Sequence, residues 1–364
     1  MRHLVFLILL TLALPVWSDD RPNIIFVMTD DQAPWDLGCS GNPEAHTPNM
    51  DRFFSQGVML KNCFAVTPVC SPSRAALMTS RYGTELGVTD WINPREEPDL
   101  GLDPKYVTWP EVLHDAGYQT AMIGKWHLGT APEFHPYKNG FDVFRGFLEG
   151  GNKVENAVFE VDGATVEARG LTVDFLTDQA IRFLNEDHGD KPFLMCMHYR
   201  SPHAPWLPVW ESDWEPYADL DPTIPNPDYP DLDVELVKKK MREYLASTTG
   251  VDTNFGRILR QLDNLGLSDN TIVVFTSDHG YNMGHNGIWH KGNGHWITKA
   301  MRNASKEERQ RPNMYDNSIR VPAAIRWPGK LEAGKHLTET ITHIDWYPTL
   351  LALAGVDLPK DVLL

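Results

Sequence analysis

Cys70-Ser71-Pro72-Ser73-Arg74 opens an apolar helical pattern, and a cysteine at a helix start is a candidate nucleophile. Four other polar clusters each follow an apolar, strand-like run. Asp30-Asp31 ends residues 23–29, NIIFVMT, and two adjacent carboxylates there suit a divalent cation held by hard oxygen ligands. Gly124-Lys125-Trp126-His127 ends residues 119–123, and Ser201-Pro202-His203 ends residues 192–198. Ser277-Asp278-His279-Gly280 ends residues 271–276, TIVVFT. Each cluster alone has a plainer reading: a solvated turn for the aspartates, a surface charge for a lysine, a structural imidazole for one histidine among 14.

The recurrence of polar clusters after strands argues for elements that gather them. A continuous apolar run such as 23–29 reads as a central strand covered on both faces. Helices are expected at 48–56, with Thr47 as N-cap, Pro48 first and Gly57 as stop. Further helices are expected from the Thr108/Glu111 capping box to Gly117, over 171–185, over 233–265 with a break near Thr249-Gly250, and over 345–354. Residues 58–66 read as extended, 137–168 as loops and small hairpins, and 205–231 as a long surface loop. Strands alternating with helices predict an α/β fold, one doubly wound sheet whose carboxyl edge carries a single site. No interdomain linker stands out.

Composition narrows the classes. A formal charge of −16 argues against nucleic-acid or anionic-membrane partners, which leave a basic footprint. Residues 1–18 read as a signal peptide, with Arg2 and His3, an apolar run over 4–14 and a cleavage site at Val16-Trp17-Ser18, so a secreted or periplasmic location and a mature domain over 19–364 are expected, with no later transmembrane span. Four cysteines, Cys39, Cys63, Cys70 and Cys196, make no disulfide framework, and Cys196 reads as a core thiol.

Taken together, Cys70-x-Pro72-Ser73-Arg74 with its continuation over 75–83, Asp30-Asp31, Gly124-Lys125-Trp126-His127, Ser201-Pro202-His203 and Asp278-His279-Gly280 resemble a type I, formylglycine-dependent sulfatase of the alkaline phosphatase superfamily, from Arg21 to about Leu358. The resemblance implies that fold, a mixed, mostly parallel sheet flanked by helices. It implies that a maturation enzyme oxidises Cys70 to formylglycine, whose hydrate attacks the sulfur of a sulfate ester, on a sulfated carbohydrate above all. It implies Ca2+ as the one divalent cation, held by Asp30, Asp31, Asp278 and the modified Cys70, with His279 at a position where relatives carry asparagine or histidine. It further implies that Arg74 pairs with the diol oxygens and metal carboxylates, that Lys125 and Lys291 bind sulfate oxygens, that His203 is the general acid, helped by Lys291, and that His127 takes the diol proton to expel sulfate.

Three departures accompany the likeness. Gly284-His285-Asn286-Gly287 stands where relatives read G-E-H-G. Residues 293–313 look like an insertion, basic at Lys299, Arg302, Lys306, Arg309 and Arg311, expected either to line the entrance and meet a polyanionic substrate or to form a solvated helix. The small C-terminal subdomain usual in relatives is expected to be largely absent, the chain ending at Val362-Leu363-Leu364. Asn303-Ala304-Ser305 is a glycosylation sequon that matters in a eukaryotic secretory host. Rival readings are a phosphatase or phosphonate hydrolase on the same fold, and a non-catalytic secreted protein that binds calcium or polysaccharide. The 12 tryptophans suit stacking on sugar rings, although a core explains most of them.

Overall fold

The computed structural model describes residues 21–360. In chain order they form β1 (Asn23–Thr29), α1 (Pro48–Gln56), β2 (Val58–Phe64), α2 (Cys70–Thr79), α3 (Trp109–Asp115), β3 (Gln119–Lys125), β4 (Val143–Phe147), the hairpin β5 (Val158–Val161) and β6 (Ala164–Glu167), α4 (Thr172–Leu184), β7 (Phe193–His198), α5 (Val234–Asn264) and β8 (Thr271–Ser277). A small three-stranded sheet follows, β9 (Asn282–Met283), β10 (Ile288–His290) and β11 (His295–Trp296), then β12 (Arg320–Val321), β13 (Ala324–Arg326), β14 (Lys335–Thr342) and α6 (Trp346–Leu353), with short helical turns between.

Eleven strands make one mixed sheet, ordered β12-β2-β13-β8-β1-β7-β3-β4-β5-β6, with β14 also on β2. Its centre, β8-β1-β7-β3-β4, is parallel throughout. This explains the unbroken apolar runs. Ile24, Phe26 and Met28 of β1 join a core under α2, α3 and α6, while Ile25 and Val27 join one under α1, α4 and α5. The strands β1, β3, β7 and β8 therefore bury both faces, and the strand period of two has no polar side to reveal it.

The capping box at Thr108 forms as expected, with the Glu111 carboxylate accepting from the Thr108 N–H. Thr47, in contrast, does not cap α1 with its side chain; its hydroxyl accepts from the Gly38 N–H and donates to Asp51. Helix α5 runs 31 residues without the break expected near Thr249-Gly250, because residues on both sides, Leu245 and Ala246 before it and Val251 and Phe255 after it, are buried in apolar clusters. Residues 137–168 supply a strand of the main sheet, β4, besides the hairpin. Residues 205–231 carry short helical turns and bury Trp206, Tyr217 and Ile224 against α5 rather than lying as a surface loop. The signal-peptide segment and the last four residues lie outside the described residues. Among the described residues no helix is long and apolar enough to cross a membrane.

Candidate active site

Because β8, β1, β7 and β3 are parallel, their carboxyl ends share one edge, and residues hundreds of positions apart meet there. β1 delivers Asp30 and Asp31, β8 delivers Asp278 and His279, and β3 delivers Lys125 within the strand, with His127 just beyond it. The loop after β7 carries His203. Gly124 permits the closeness: at φ +111, a Cβ there would lie 1.8 Å from the His198 carbonyl.

Helix α2 enters this edge with Cys70 as its first residue, and all ten of its residues are buried. Cys70 Sγ lies 3.0 Å from Lys291 Nζ, 3.4 Å from His279 Nε2 and 3.7 Å from Asp30 Oδ1. Burial alone would raise the thiol, yet the Lys125 and Lys291 ammoniums bring it down to about 7. Cys39 and Cys63, also free, are pushed by burial up to about 12. One cysteine is thus set apart electrostatically from the others.

The charges around it are almost wholly desolvated, with Asp30, Asp31, Asp278, His279 and Lys125 all at 0% exposure. Lys125 Nζ is 2.5 Å from Asp30 Oδ2 and Lys291 Nζ 2.6 Å from Asp31 Oδ1. Arg74, one turn along α2, places Nε and Nη2 each 3.1 Å from Asp278 Oδ2, and its Nη1 donates to the Lys125 carbonyl at 2.8 Å. Asp30 is held well below the usual carboxylate range: burial opposes this, and the charges of Lys125 and Arg74 outweigh it. Burial pushes Asp31 up to about 6 against the pull of Lys291.

Ligand atoms of Asp30, Asp31, Cys70 and His279 all lie within 4.8 Å of one another. Asp278 adjoins this group, its Oδ1 accepting from the Asp31 N–H at 3.2 Å and lying 3.4 Å from His279 Nε2. Asp31 Oδ2 is buried without a hydrogen-bond partner, and a buried orphan carboxylate oxygen is what a cation would satisfy. His279 donates Nδ1–H to the Gly280 carbonyl, which leaves Nε2 facing Cys70 Sγ and Asp31 Oδ1, each 3.4 Å away. The donor set therefore fits a divalent cation, with more oxygen than nitrogen.

The two other histidines are also oriented through carbonyls. His127 donates Nε2–H to the Ile92 carbonyl at 3.1 Å, so its buried, unpartnered Nδ1 carries the lone pair. Burial and the charge of Lys125 hold this ring well below the usual range, keeping it neutral. His203 donates Nδ1–H to the Ala204 carbonyl at 2.7 Å and points Nε2 toward Asp31 Oδ2, 3.8 Å away.

Cys70, His127, His203 and Lys291 floor one cavity of about 530 Å3, and the buried carboxylates contact Cys70 and Lys291 from behind. Its other walls are residues 91–96 and 149–151, together with His290 and Asn293. Of the segment 293–313, only Asn293 lines it. Arg302 instead pairs with Asp233, the N-cap of α5, at 2.6 Å, so the expectation that Arg302 and Arg309 line the entrance is not met.

Supporting residues carry no role in the motifs: Arg200 and Tyr244 lie outside them, and Ser73 lies inside one without an assigned task. Arg200 is buried and grips the carbonyls of His203, Ala204 (2.8 Å) and Pro205 (2.7 Å). Ser73 donates to the Asp278 carbonyl and meets His343 Nδ1 at 2.9 Å, and the Tyr244 hydroxyl donates to the Asp31 carbonyl at 2.8 Å. The available signal was a charged residue inside an apolar strand end, as at Arg200.

Comparison with known proteins accords with this arrangement. The family model described as Sulfatase matches residues 22–356. An N-acetylglucosamine-6-O-sulfatase of Bacteroides thetaiotaomicron is 30% identical, covering 94% of this chain and 69% of its own length. The human steryl-sulfatase is 31% identical, covering 94% and 67%. The chain thus spans about two thirds of the length of these relatives. A structure solved in complex with its substrate D-glucosamine-2-N,6-O-disulfate superposes with a TM-score of 0.79 at 29% identity, covering 94% of this chain and 78% of that one. With its mixed, mostly parallel sheet flanked by helices and a match over nearly all its described length, the chain belongs to the sulfatase family of sulfuric ester hydrolases.

Proposed function

We propose that this protein, with 19–364 as its catalytic domain, cleaves the sulfate ester of a sulfated carbohydrate, using residue 70 after oxidation of Cys70 to formylglycine by a maturation enzyme. The observation that carries the reading is the position of Cys70, first in α2, between two buried lysines and at the floor of a cavity that two differently oriented histidines also face. The relative named as an N-acetylglucosamine-6-O-sulfatase and the neighbour solved with a sulfated glucosamine support a sugar leaving group.

Asp30, Asp31, Asp278 and His279 would hold the cation, with residue 70 beside them, and the excess of oxygen ligands favours Ca2+. When bound, it supplies charge that lowers the pKa of the attacking hydroxyl and draws electron density off the sulfate. Lys125 and Lys291 bind sulfate oxygens, exchanging the carboxylates that now face them for the substrate anion. Arg74 holds the Asp278 carboxylate in place. His203, neutral because burial lowers its pKa, gains a proton at Nε2 once an anionic ester lies beside it, and delivers it to the leaving oxygen. His127, with Nδ1 unprotonated, accepts the proton from residue 70 that ends the cycle.

The test is release of sulfate by protein coexpressed with a maturation enzyme, from sulfated hexosamines and from matched aryl sulfate and aryl phosphate esters. Sulfate esters should be turned over faster, the peptide of residue 70 should carry the aldehyde or its hydrate by mass spectrometry, and Cys70→Ala should remove turnover while the fold persists. Faster phosphate release, or full activity with only thiol at residue 70, would overturn the reading. Secretion or periplasmic export through residues 1–18 is part of the same proposal, checked by the N-terminal residue of the exported protein.

A further inference from the structure

Eight of the 12 tryptophans serve the core: Trp109, Trp126, Trp206 and Trp346 are at most 4% exposed, and Trp35, Trp214, Trp289 and Trp327 pack against it half-buried. Among the described residues two stand out as more than 40% exposed, Trp91 and Trp210. Trp210 donates Nε1–H to Asp174 on α4 and lies away from the site. Trp91 lines the same cavity as Cys70. An indole left 42% open to solvent at the mouth of a polar, charged site forgoes its own burial, and stacking against a ligand is what would recover it.

The placement of Trp91 is rigid where it matters. The next residue, Ile92, is buried, and its two backbone groups are both engaged by the site: its N–H donates to Ser71 Oγ at 3.0 Å, and its carbonyl accepts the His127 Nε2–H at 3.1 Å. Ser71 follows Cys70 in α2. Trp91 is thus one residue from a clamp that joins the attacking residue to the base. A flat aromatic surface held at fixed distance from a reacting atom can orient what stacks on it.

The rest of the rim says which class of molecule fits. Asn93, Arg95, Glu96, Glu149 and Asn293 line the cavity near Trp91. One aromatic platform ringed by hydrogen-bonding side chains suits a pyranose, which has an apolar face of C–H groups and an equator of hydroxyls. A sterol, apolar on every side, would leave those polar groups unpaired at a cost. Gly150 also lines the cavity, a Cβ there lying 2.4 Å from His127 Nε2, so the chain presents bare backbone next to the base.

We propose that Trp91 is the specificity residue for the leaving group, the platform on which the sugar ring bearing the scissile sulfate stacks. This rests on the sulfatase reading above. Trp91 binds the alcohol half of the ester, whereas Lys125 and Lys291 bind its sulfate half, so the two halves separate experimentally.

The test compares Trp91→Ala and Trp91→Phe with the wild-type enzyme, all matured, on whichever of N-acetylglucosamine 6-sulfate, N-acetylgalactosamine 6-sulfate and galactose 6-sulfate the wild type turns over fastest. Trp91→Ala should lower kcat/KM about tenfold or more, mainly through KM, and Trp91→Phe should restore most of it. The inhibition constant of inorganic sulfate should stay unchanged in both variants. Unchanged sugar kinetics in Trp91→Ala would overturn the proposal, as would a parallel weakening of inorganic sulfate, which would make Trp91 a general support of the site. Should the wild type release no sulfate from any ester, the sulfatase reading fails by itself. Saturation-transfer NMR with the three desulfated sugars then decides on Trp91: binding lost in Trp91→Ala supports the platform, and no binding to wild type or equal binding to both overturns it.

Discussion

Three non-glycine residues at the site hold left-handed backbone: Asp31 at φ 70°, His127 at φ 59° and His290 at φ 92°. An L side chain in that region costs about 1–2 kcal/mol, so the surrounding hydrogen bonds must over-determine it. At His290 the prediction is that His290→Gly unfolds at a temperature equal to or above that of His290→Ala, since only alanine must still place a Cβ there; a clear deficit of the glycine variant would show that the backbone is not strained. The lone pair on His127 Nδ1 makes a kinetic prediction. If His127 ends the cycle and His203 begins it, His127→Ala should release about one equivalent of alcohol per enzyme rapidly and then stall, whereas His203→Ala should slow that first release. Quenched-flow measurement of alcohol and sulfate separates the two.

At the scale of elements, the loop after β7 depends on Arg200. Among the described residues no carboxylate lies within salt-bridge distance of its guanidinium, which is bonded to three successive carbonyls, those of residues 203–205, so the conformation that presents His203 is set by one cation. Arg200→Met, which keeps bulk and removes the donors, should lower kcat by about 10–100-fold with a smaller change in KM, the scale on which outer supports of a site act. The packing of α5 against the segment after β1 makes a second prediction. Asp36 accepts hydrogen bonds from Gln32 Nε2 and Thr248 Oγ1, yet burial pushes it up to about 7 from an ordinary 3.8. Its folded pKa is raised, so the folded state holds the proton more tightly. That favours folding fully below about pH 4, and the benefit fades as pH rises from about 4 to about 7. Asp36→Asn, which keeps the two partners without a charge, should raise the melting temperature at pH 8 by about 2 °C or more and leave it nearly unchanged at pH 4. An equal effect at both pH values would exclude burial of the charge as the cause.

For the whole molecule, two apolar cores enclose a sheet whose carboxyl edge concentrates three buried carboxylates and three buried cations. Such desolvated charges are stable only when mutually satisfied, and Asp31 Oδ2, buried without a hydrogen-bond partner, supports the cation proposed there. Calcium removal is therefore expected to act globally: chelation should lower the melting temperature and abolish turnover, and added Ca2+ should restore both. By linkage, a cation at a hundredfold excess over its Kd contributes about 2.7 kcal/mol to stability. A melting temperature indifferent to chelator and to Ca2+ would remove the cation from the proposed site.

By itself the sequence determined the central strands and which polar residues gather at their carboxyl ends. Apolar runs bounded by Gly, Pro and Asp marked β1, β3, β7 and β8 within two residues, and Asp30, Asp31, Cys70, Lys125, His203, Asp278 and Lys291 do converge. These features are local, carried by runs and by residue types at strand ends. What only the tertiary structure decided depends on contacts between distant segments. The unbroken course of α5 through Gly250 rests on the burial of its flanking residues in two apolar clusters, and β4 within 137–168 exists because β3 offers it an edge. The choice of Nδ1 on His127 as the free nitrogen rests on the Ile92 carbonyl, 35 residues away, and the low pKa of Cys70 on Lys125 and Lys291. Propensity reports what a segment prefers alone, whereas tautomer, pKa and cavity wall are set by neighbours that folding alone brings within a few ångströms.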